Sequence, residues 1–384
     1  MEISLPLLLT GLPAAFILGW IASRLDMRQL RMENRQAPKA YFKGLNYLLN
    51  EQQDQAIDAF IEAVQIDPDT SELHFALGNL FRRRGEYERA IRVHQHLLSR
   101  ADLSTHDRER AQHALALDFL KAGLLDRAEA ALLKLENTAS ESQAWQALLS
   151  IYERSRDWVH AAEIAQKMQA HGLGSFTIRQ AHYLCEQAAY QSAQQPEQAT
   201  KLLQQAIQIA PDAPRPRLEL ARLQQANGHN EQAFETLKLA LLHTPAAAPL
   251  IAPLFAQLAI RCQQTQTAYT QLTQQYQHAP SLDVLDAIVT LDCASGLSSI
   301  SPREWYAHHL EKEPSLIAAT QWIADEKLEH EQFHPYVQKA LEHAVKPLKR
   351  YRCAACGFEA KQHFWQCPGC QTWDSYPARR VEEL

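Results

Sequence analysis

A chain of 384 residues, 46% hydrophobic and 21% charged, is long enough for two or three globular units and too apolar to be disordered. A formal charge of −6 and a pI of 6.3 exclude a general nucleic-acid binder, because neutralising phosphates needs a basic surface. Glycine is scarce at 12 while Ala, Leu and Gln are abundant, so helix is expected everywhere before a cysteine cluster near residue 353.

The first predicted element is an anchor. Ile3 to Ser23 is 21 residues without a charge, enough for a helix of about 31 Å, which spans a hydrocarbon core. Pro6 and Pro13 are tolerated in membrane helices, and Trp20 sits where an interfacial aromatic belongs. Arg24, Arg28, Arg31, Arg35 and Lys39 follow, which by the positive-inside rule turns the bulk of the chain toward the cytoplasm. A cleaved signal peptide would carry its positive charge before the apolar stretch, the reverse of what is found. At spacings of four, three, four and four, a continuing helix gathers these cations on one face toward anionic membrane lipid.

A repeat with a period near 34 follows, the length of a helix-turn-helix solenoid unit. Gly44, Tyr47, Ala56, Phe60, Ala63 and Pro68 fall at tetratricopeptide spacing, with small residues where paired helices approach and aromatics filling the gaps. Matching offsets carry Leu77, Gly78, Phe81, Ala90 and Leu97, then Leu115, Ala116, Phe119, Ala128 and Leu135, then Trp145, Leu148, Tyr152, Ala161 and Met168. A fifth copy has Tyr183, Tyr190, Ala199, Leu203, Ala206 and Pro211, and a sixth has Leu220, Ala221, Ala233, Leu237, Ala240 and Pro245. Beyond Ala248 the pattern weakens but keeps helical spacing. The expected layout is an anchor over 1–23, a basic juxtamembrane linker over 24–36, repeats over 37–247, degenerate repeats and a cap over 248–345, and a metal ribbon over 346–384. Such an array offers a groove for a peptide or protein partner. Inward-facing candidates are Phe75, Asn79, Arg82, His113, Leu117 and Arg222.

His330, Glu331 and His334 spell H-E-x-x-H, the helical signature of a zinc peptidase. Pro335 opposes it, since the residue before a proline is pushed from helical geometry, and a third ligand would be an arbitrary choice such as Glu342 or His343. No phosphate loop, nucleophile elbow or dinucleotide fingerprint is present, and no catalytic residue is assigned. Cys185, Cys262 and Cys293 stand alone in helical stretches and are expected to be small buried residues.

Cys353, Cys356, Cys367 and Cys370 form two C-x-x-C pairs separated by ten residues, spacing that presents four thiolates to one tetrahedral metal ion. Gly357 and Gly369 are expected to supply the backbone freedom of the two knuckles. The 34 residues from Tyr351 to Leu384 bury too little to fold alone, so the metal acts as their staple with Tyr351, Phe358, Phe364, Trp365 and Trp373. Iron and zinc both suit four thiolates. A pair of disulfides is the competing arrangement, disfavoured in an intracellular chain.

The order of parts, and above all Tyr351-Arg-Cys-Ala-Ala-Cys-Gly-Phe followed by Phe364-Trp365-Gln-Cys367-Pro-Gly-Cys370 and Trp373, resembles the lipopolysaccharide assembly protein B (LapB/YciM) family over essentially the whole chain. The resemblance implies an all-α tetratricopeptide solenoid with a transmembrane helix and a rubredoxin-like ribbon whose four cysteines bind the metal. It also implies an inner-membrane adaptor, not an enzyme. Its partners would be the membrane protease FtsH, the lipid A pathway deacetylase whose degradation it promotes, and other lipopolysaccharide assembly proteins. A tethered rubredoxin-like electron carrier is the alternative. The ten-residue spacer is shorter than in free-standing electron-transfer rubredoxins and favours a structural metal. Lys346, Lys349, Arg350 and Arg352 form a basic linker that would steer the ribbon onto the repeats or toward lipid.

Overall fold

The computed structural model describes residues 16, 20, 39–67, 69–298, 300–324 and 334–384. The anchor and basic linker expected over 1–36 lie outside the described residues, apart from Phe16 and Trp20, which are helical and exposed. Among the described residues no single helix is long and apolar enough to cross a membrane. The chain divides into two compact units, one ending at Asp157 and one starting at Trp158.

The first unit holds α1 (39–49), α2 (Gln53–Ile66), α3 (Ser71–Arg84), α4 (Tyr87–Ser99), α5 (Thr105–Lys121), α6 (Leu125–Leu133) and α7 (Glu141–Ser155). Helices pair because the repeat places small residues where their backbones meet. A Cβ on Gly44 would stand 2.9 Å from the Phe60 ring, and one on Gly78 would stand 2.5 Å from the His94 imidazole. Ala56, Ala63, Ala90 and Ala128 are fully buried. Turn chemistry ends each helix: Gly85, at φ 84°, takes the left-handed conformation after α3, and Ser104 Oγ accepts the Asp107 N–H at the start of α5.

Two of the groove candidates behave differently from the expectation. Phe75 is buried beneath the Arg110 guanidinium and tilts against His94, so it fills the unit's interior. Arg82 donates to Asp118 at 2.9 Å, and Asp118 also meets His94 Nδ1 at 2.5 Å, both of the latter fully buried. The carboxylate needs two partners at that depth, which fixes Arg82 as a packing residue.

The second unit continues with α8 (Trp158–Ala170), α9 (Thr177–Gln191), α10 (Pro196–Ile209), α11 (Pro214–Ala226), α12 (Asn230–His243), α13 (Ala248–Arg261), α14 (Thr265–His278), α15 (Leu282–Ser295), α16 (Pro302–Lys312), α17 (Leu316–Ala324) and α18 (His334–Val345). Ala199, Ala206, Ala233, Ala240 and Ala268 are fully buried at helix contacts, and Phe234 stacks on Phe255 at 4.8 Å. One core runs from Leu218 on α11 to Trp305 on α16. Tyr190 departs from the pattern, at 87% exposure. In that repeat Gln187 stands where other copies have Gly44, Gly78 or Ala116, and its amide donates to the Trp158 carbonyl.

Strands β1 (Tyr351–Arg352) and β2 (Glu359–Ala360) pair antiparallel, Tyr351 opposite Ala360, and open the ribbon. Arg350 and Arg352 both meet Glu359. These two cations of the basic linker are thus engaged inside the ribbon.

Candidate metal centre

Two knuckles face each other. In the first, the Cys353 N–H donates to the Phe358 carbonyl and the Gly357 N–H donates to the Cys353 carbonyl. In the second, the Cys367 N–H donates to the Thr372 carbonyl and the Gln371 N–H donates to the Cys367 carbonyl. The left-handed residue is the one after each second cysteine: Gly357 at φ 77° and Gln371 at φ 61°. Gly369 was expected to fill that role and does not. Its place is set by proximity, since a Cβ there would meet the Phe358 side chain at 3.5 Å.

The four sulfurs lie within 4.8 Å of one another. Cys353 Sγ is 3.8 Å from Cys370 Sγ, and Cys356 Sγ is 3.7 Å from Cys367 Sγ. A tetrahedron with metal–sulfur bonds of about 2.3 Å has edges of about 3.8 Å, whereas a disulfide needs about 2.05 Å. All seven cysteines among the described residues are free thiols. The donor set therefore fits one tetrathiolate metal ion with no coordination position left open.

Hydroxyl and N–H donors surround the sulfurs. Ser375 Oγ lies 3.2 Å from Cys353 Sγ and Thr372 Oγ1 lies 3.3 Å from Cys370 Sγ. Burial raises the Cys353 thiol, but Ser375 and the N–H groups of Cys356 and Ala355 outweigh it and bring the pKa down to about 6. The Thr372 hydroxyl and N–H hold Cys370 below its ordinary value. At Cys356 the Phe358 N–H lowers the pKa, yet burial and the three neighbouring sulfurs push it up to about 12. Four clustered thiols resist shedding every proton until a cation compensates them.

The ribbon is seated on the helices of its own unit. Trp373 stacks on His182 of α9 at 4.8 Å and meets Tyr183 and Trp158 edge-on. His182 Nε2 donates to the Asp374 carboxylate at 2.8 Å, while its Nδ1 lies 3.3 Å from an Arg215 guanidinium nitrogen. Arg215 also donates to Glu186 at 2.7 Å. Further along, Arg380 grips Asp283 through two bonds of 2.7 and 2.8 Å. Sequence reasoning found the cysteines and Trp373 but missed His182, Arg215, Asp374 and Arg380. A lone polar residue on a helix carries no mark of a partner 192 positions away.

Of the peptidase motif, His330 and Glu331 lie outside the described residues. His334 opens α18, and its Nε2 donates to the Ile323 carbonyl at 3.1 Å, which occupies that nitrogen. Cys185 is buried, and burial pushes its thiol up to about 12. Cys293 was expected inside and is exposed on α15.

Residues 351–376 match the family described as rubredoxin metal binding domain, and tetratricopeptide repeat families match 40–70, 73–109 and 190–258. Lipopolysaccharide assembly protein B of Escherichia coli (strain K12) is 29% identical over 394 aligned residues, covering 99% of this chain and 100% of that protein. Over its whole length the chain is similar to lipopolysaccharide assembly protein B. The Haemophilus influenzae (strain ATCC 51907) member is 28% identical and covers 96% of this chain and 97% of its own.

Proposed function

We propose that this chain is a non-enzymatic adaptor in lipopolysaccharide assembly. The observation that carries the reading is the likeness, over 99% of the chain, to proteins named for that process. The closed tetrathiolate site agrees with it: four thiolates leave no position for substrate, so the metal would hold the ribbon together, as iron or zinc alike can. Cys353, Cys356, Cys367 and Cys370 would hold the ion, and Ser375 and Thr372 would support them.

In this reading residues 1–23 tether the chain to the inner membrane with its bulk in the cytoplasm, and residues 24–36 lie against anionic lipid. Confinement to the membrane plane raises the effective concentration of a partner. The repeats and ribbon then bring the lipid A pathway deacetylase to the membrane protease FtsH and gather other assembly enzymes. The test is a cell in which the native gene is replaced. Full chain should shorten the deacetylase half-life and keep lipopolysaccharide normal, while a chain lacking residues 1–23, at equal abundance, should do neither. A deacetylase half-life indifferent to the presence of the chain would sink the adaptor reading.

A further inference from the structure

Between the docked ribbon and the helices lies a cleft of about 600 Å³. One wall is α11 and α13, and the other is the ribbon loop carrying Lys361, His363 and Trp365. The α13 wall carries an apolar stretch of Leu250, Leu254 and two prolines. Pro253 lies inside that helix and has no N–H to offer, so the Pro249 carbonyl, four residues back, loses its helical donor. Both prolines line the cleft.

Donors stand opposite. Lys361 is exposed and has no hydrogen bond or ion pair among the described residues, and Gln225 and Gln257 line the cleft with unengaged amides. The acids present are already matched: Asp283 by the two bonds from Arg380, and Glu219 by Arg222 at 3.4 Å. The cleft thus has one uncompensated positive charge, side-chain amides that both donate and accept, and an apolar stretch. A multiply charged phosphate would face Glu219 and Asp283 and leave Leu250 and Leu254 unused. An extended peptide uses all three features, because its backbone needs donors and acceptors alike. A second cleft of about 240 Å³, between α9 and α11, shares Glu219 and Arg222 with the first and is floored by Ala188, Ala189 and Leu223. The path therefore continues beyond the ribbon.

We propose that this cleft is a peptide-binding site, completed by the ribbon, for an extended client segment that carries a carboxylate beside an apolar side chain. The carboxylate meets Lys361, and the apolar side chain lies between Leu254 and Trp365. This deepens the adaptor reading by giving it a place where a client is held.

The experiment uses the full chain in detergent and two fluorescein-labelled nine-residue peptides, one repeating Ser-Glu-Leu and one repeating Ser-Lys-Leu, read by anisotropy and by Trp emission. The acidic peptide should bind and its lysine counterpart should not. Lys361→Glu should weaken the acidic peptide about tenfold or more, a rim-charge effect that also fades with salt. Gln257→Ala, a milder exposed change, should weaken it less. Metal content and thermal transition should stay as in the parent chain. Absence of binding, equal binding by Lys361→Glu, preference for the lysine peptide, or displacement by inorganic phosphate or phosphatidylglycerol vesicles would each overturn the proposal. Failure here condemns the cleft alone, since the adaptor reading is judged by deacetylase half-life.

Discussion

Glu383 accepts a hydrogen bond from the Leu282 backbone N–H at 2.9 Å, joining residues 101 apart in sequence at the first turn of α15. Its neighbour Glu382 does the same for α17, accepting from the Leu316 N–H at 2.6 Å, the Ile317 N–H at 3.2 Å and the Ser315 hydroxyl at 2.8 Å. The first N–H groups of a helix have no partner within it, and a carboxylate there also meets the positive end of the helix dipole. Two helices of the array are thus capped by a segment that belongs to the ribbon.

Glu382→Ala should cost about 1–2 kcal/mol, the usual worth of a lost cap with its dipole contribution. For a unit of this size that is a fall of roughly 2–8 °C in its thermal transition. Hydrogen exchange should quicken first at the Leu316 and Ile317 amides. Unchanged exchange at both would show that the cap is decorative.

Cys367→Ser removes one of four ligands, and metal analysis should fall from one ion per chain to a small fraction. The ribbon should unfold, since ligation supplies roughly 10 kcal/mol or more of folding free energy in such small sites. Because Trp373, Arg380 and Glu382 leave with it, the second unit should melt earlier while the first keeps its transition. A second unit indifferent to the loss would contradict the docking contacts.

Gly78→Ala places a methyl 2.5 Å from an imidazole that Asp118 holds through Nδ1. With little room for His94 to yield, the cost should be about 1–3 kcal/mol, read from denaturant midpoints. Gly172→Ala meets no atom within 4 Å and bears only the strain of φ 72°, so it should cost about 1 kcal/mol.

Acid should destabilise both units. Burial, the largest influence at each, lowers His74, His113, His309 and His363 below the ordinary value of 6.5. The unfolded chain then binds more protons below that value, so stability is present above pH 6.5 and is lost as pH falls through the folded values. His309 is packed in the second unit with its Nδ1 2.7 Å from the Tyr276 hydroxyl. His309→Gln should flatten the decline between pH 7 and 5.5 for the second unit alone.

The metal cluster and the repeats were legible because each is written locally: two C-x-x-C pairs, and small residues at a fixed period. Ala268 continued that period past Ala248, one residue off the regular step, and it is fully buried like its predecessors. What escaped was long-range. Phe75 and Arg82 lie on the helix face the pattern assigns to a groove, but partners on α4 and α5 decide their burial. Gly369 looked like the flexible residue of its knuckle because glycine permits positive φ, yet the turn demands it one position after the second cysteine, where Gln371 accepts the strain.

Open arrays of helical repeats behave as springs: each repeat touches only its neighbours, so they stretch, twist and fray from their ends. The ribbon of the second unit forbids this, since Trp373 is fixed to α9 while Arg380, Glu382 and Glu383 are fixed to α15 and α17. It acts as a strut, and the helices between its two footings cannot change their pitch without breaking one of them. A peptide bound as proposed would meet a stiff template rather than a compliant one, and binding there would spend little free energy on ordering the receptor.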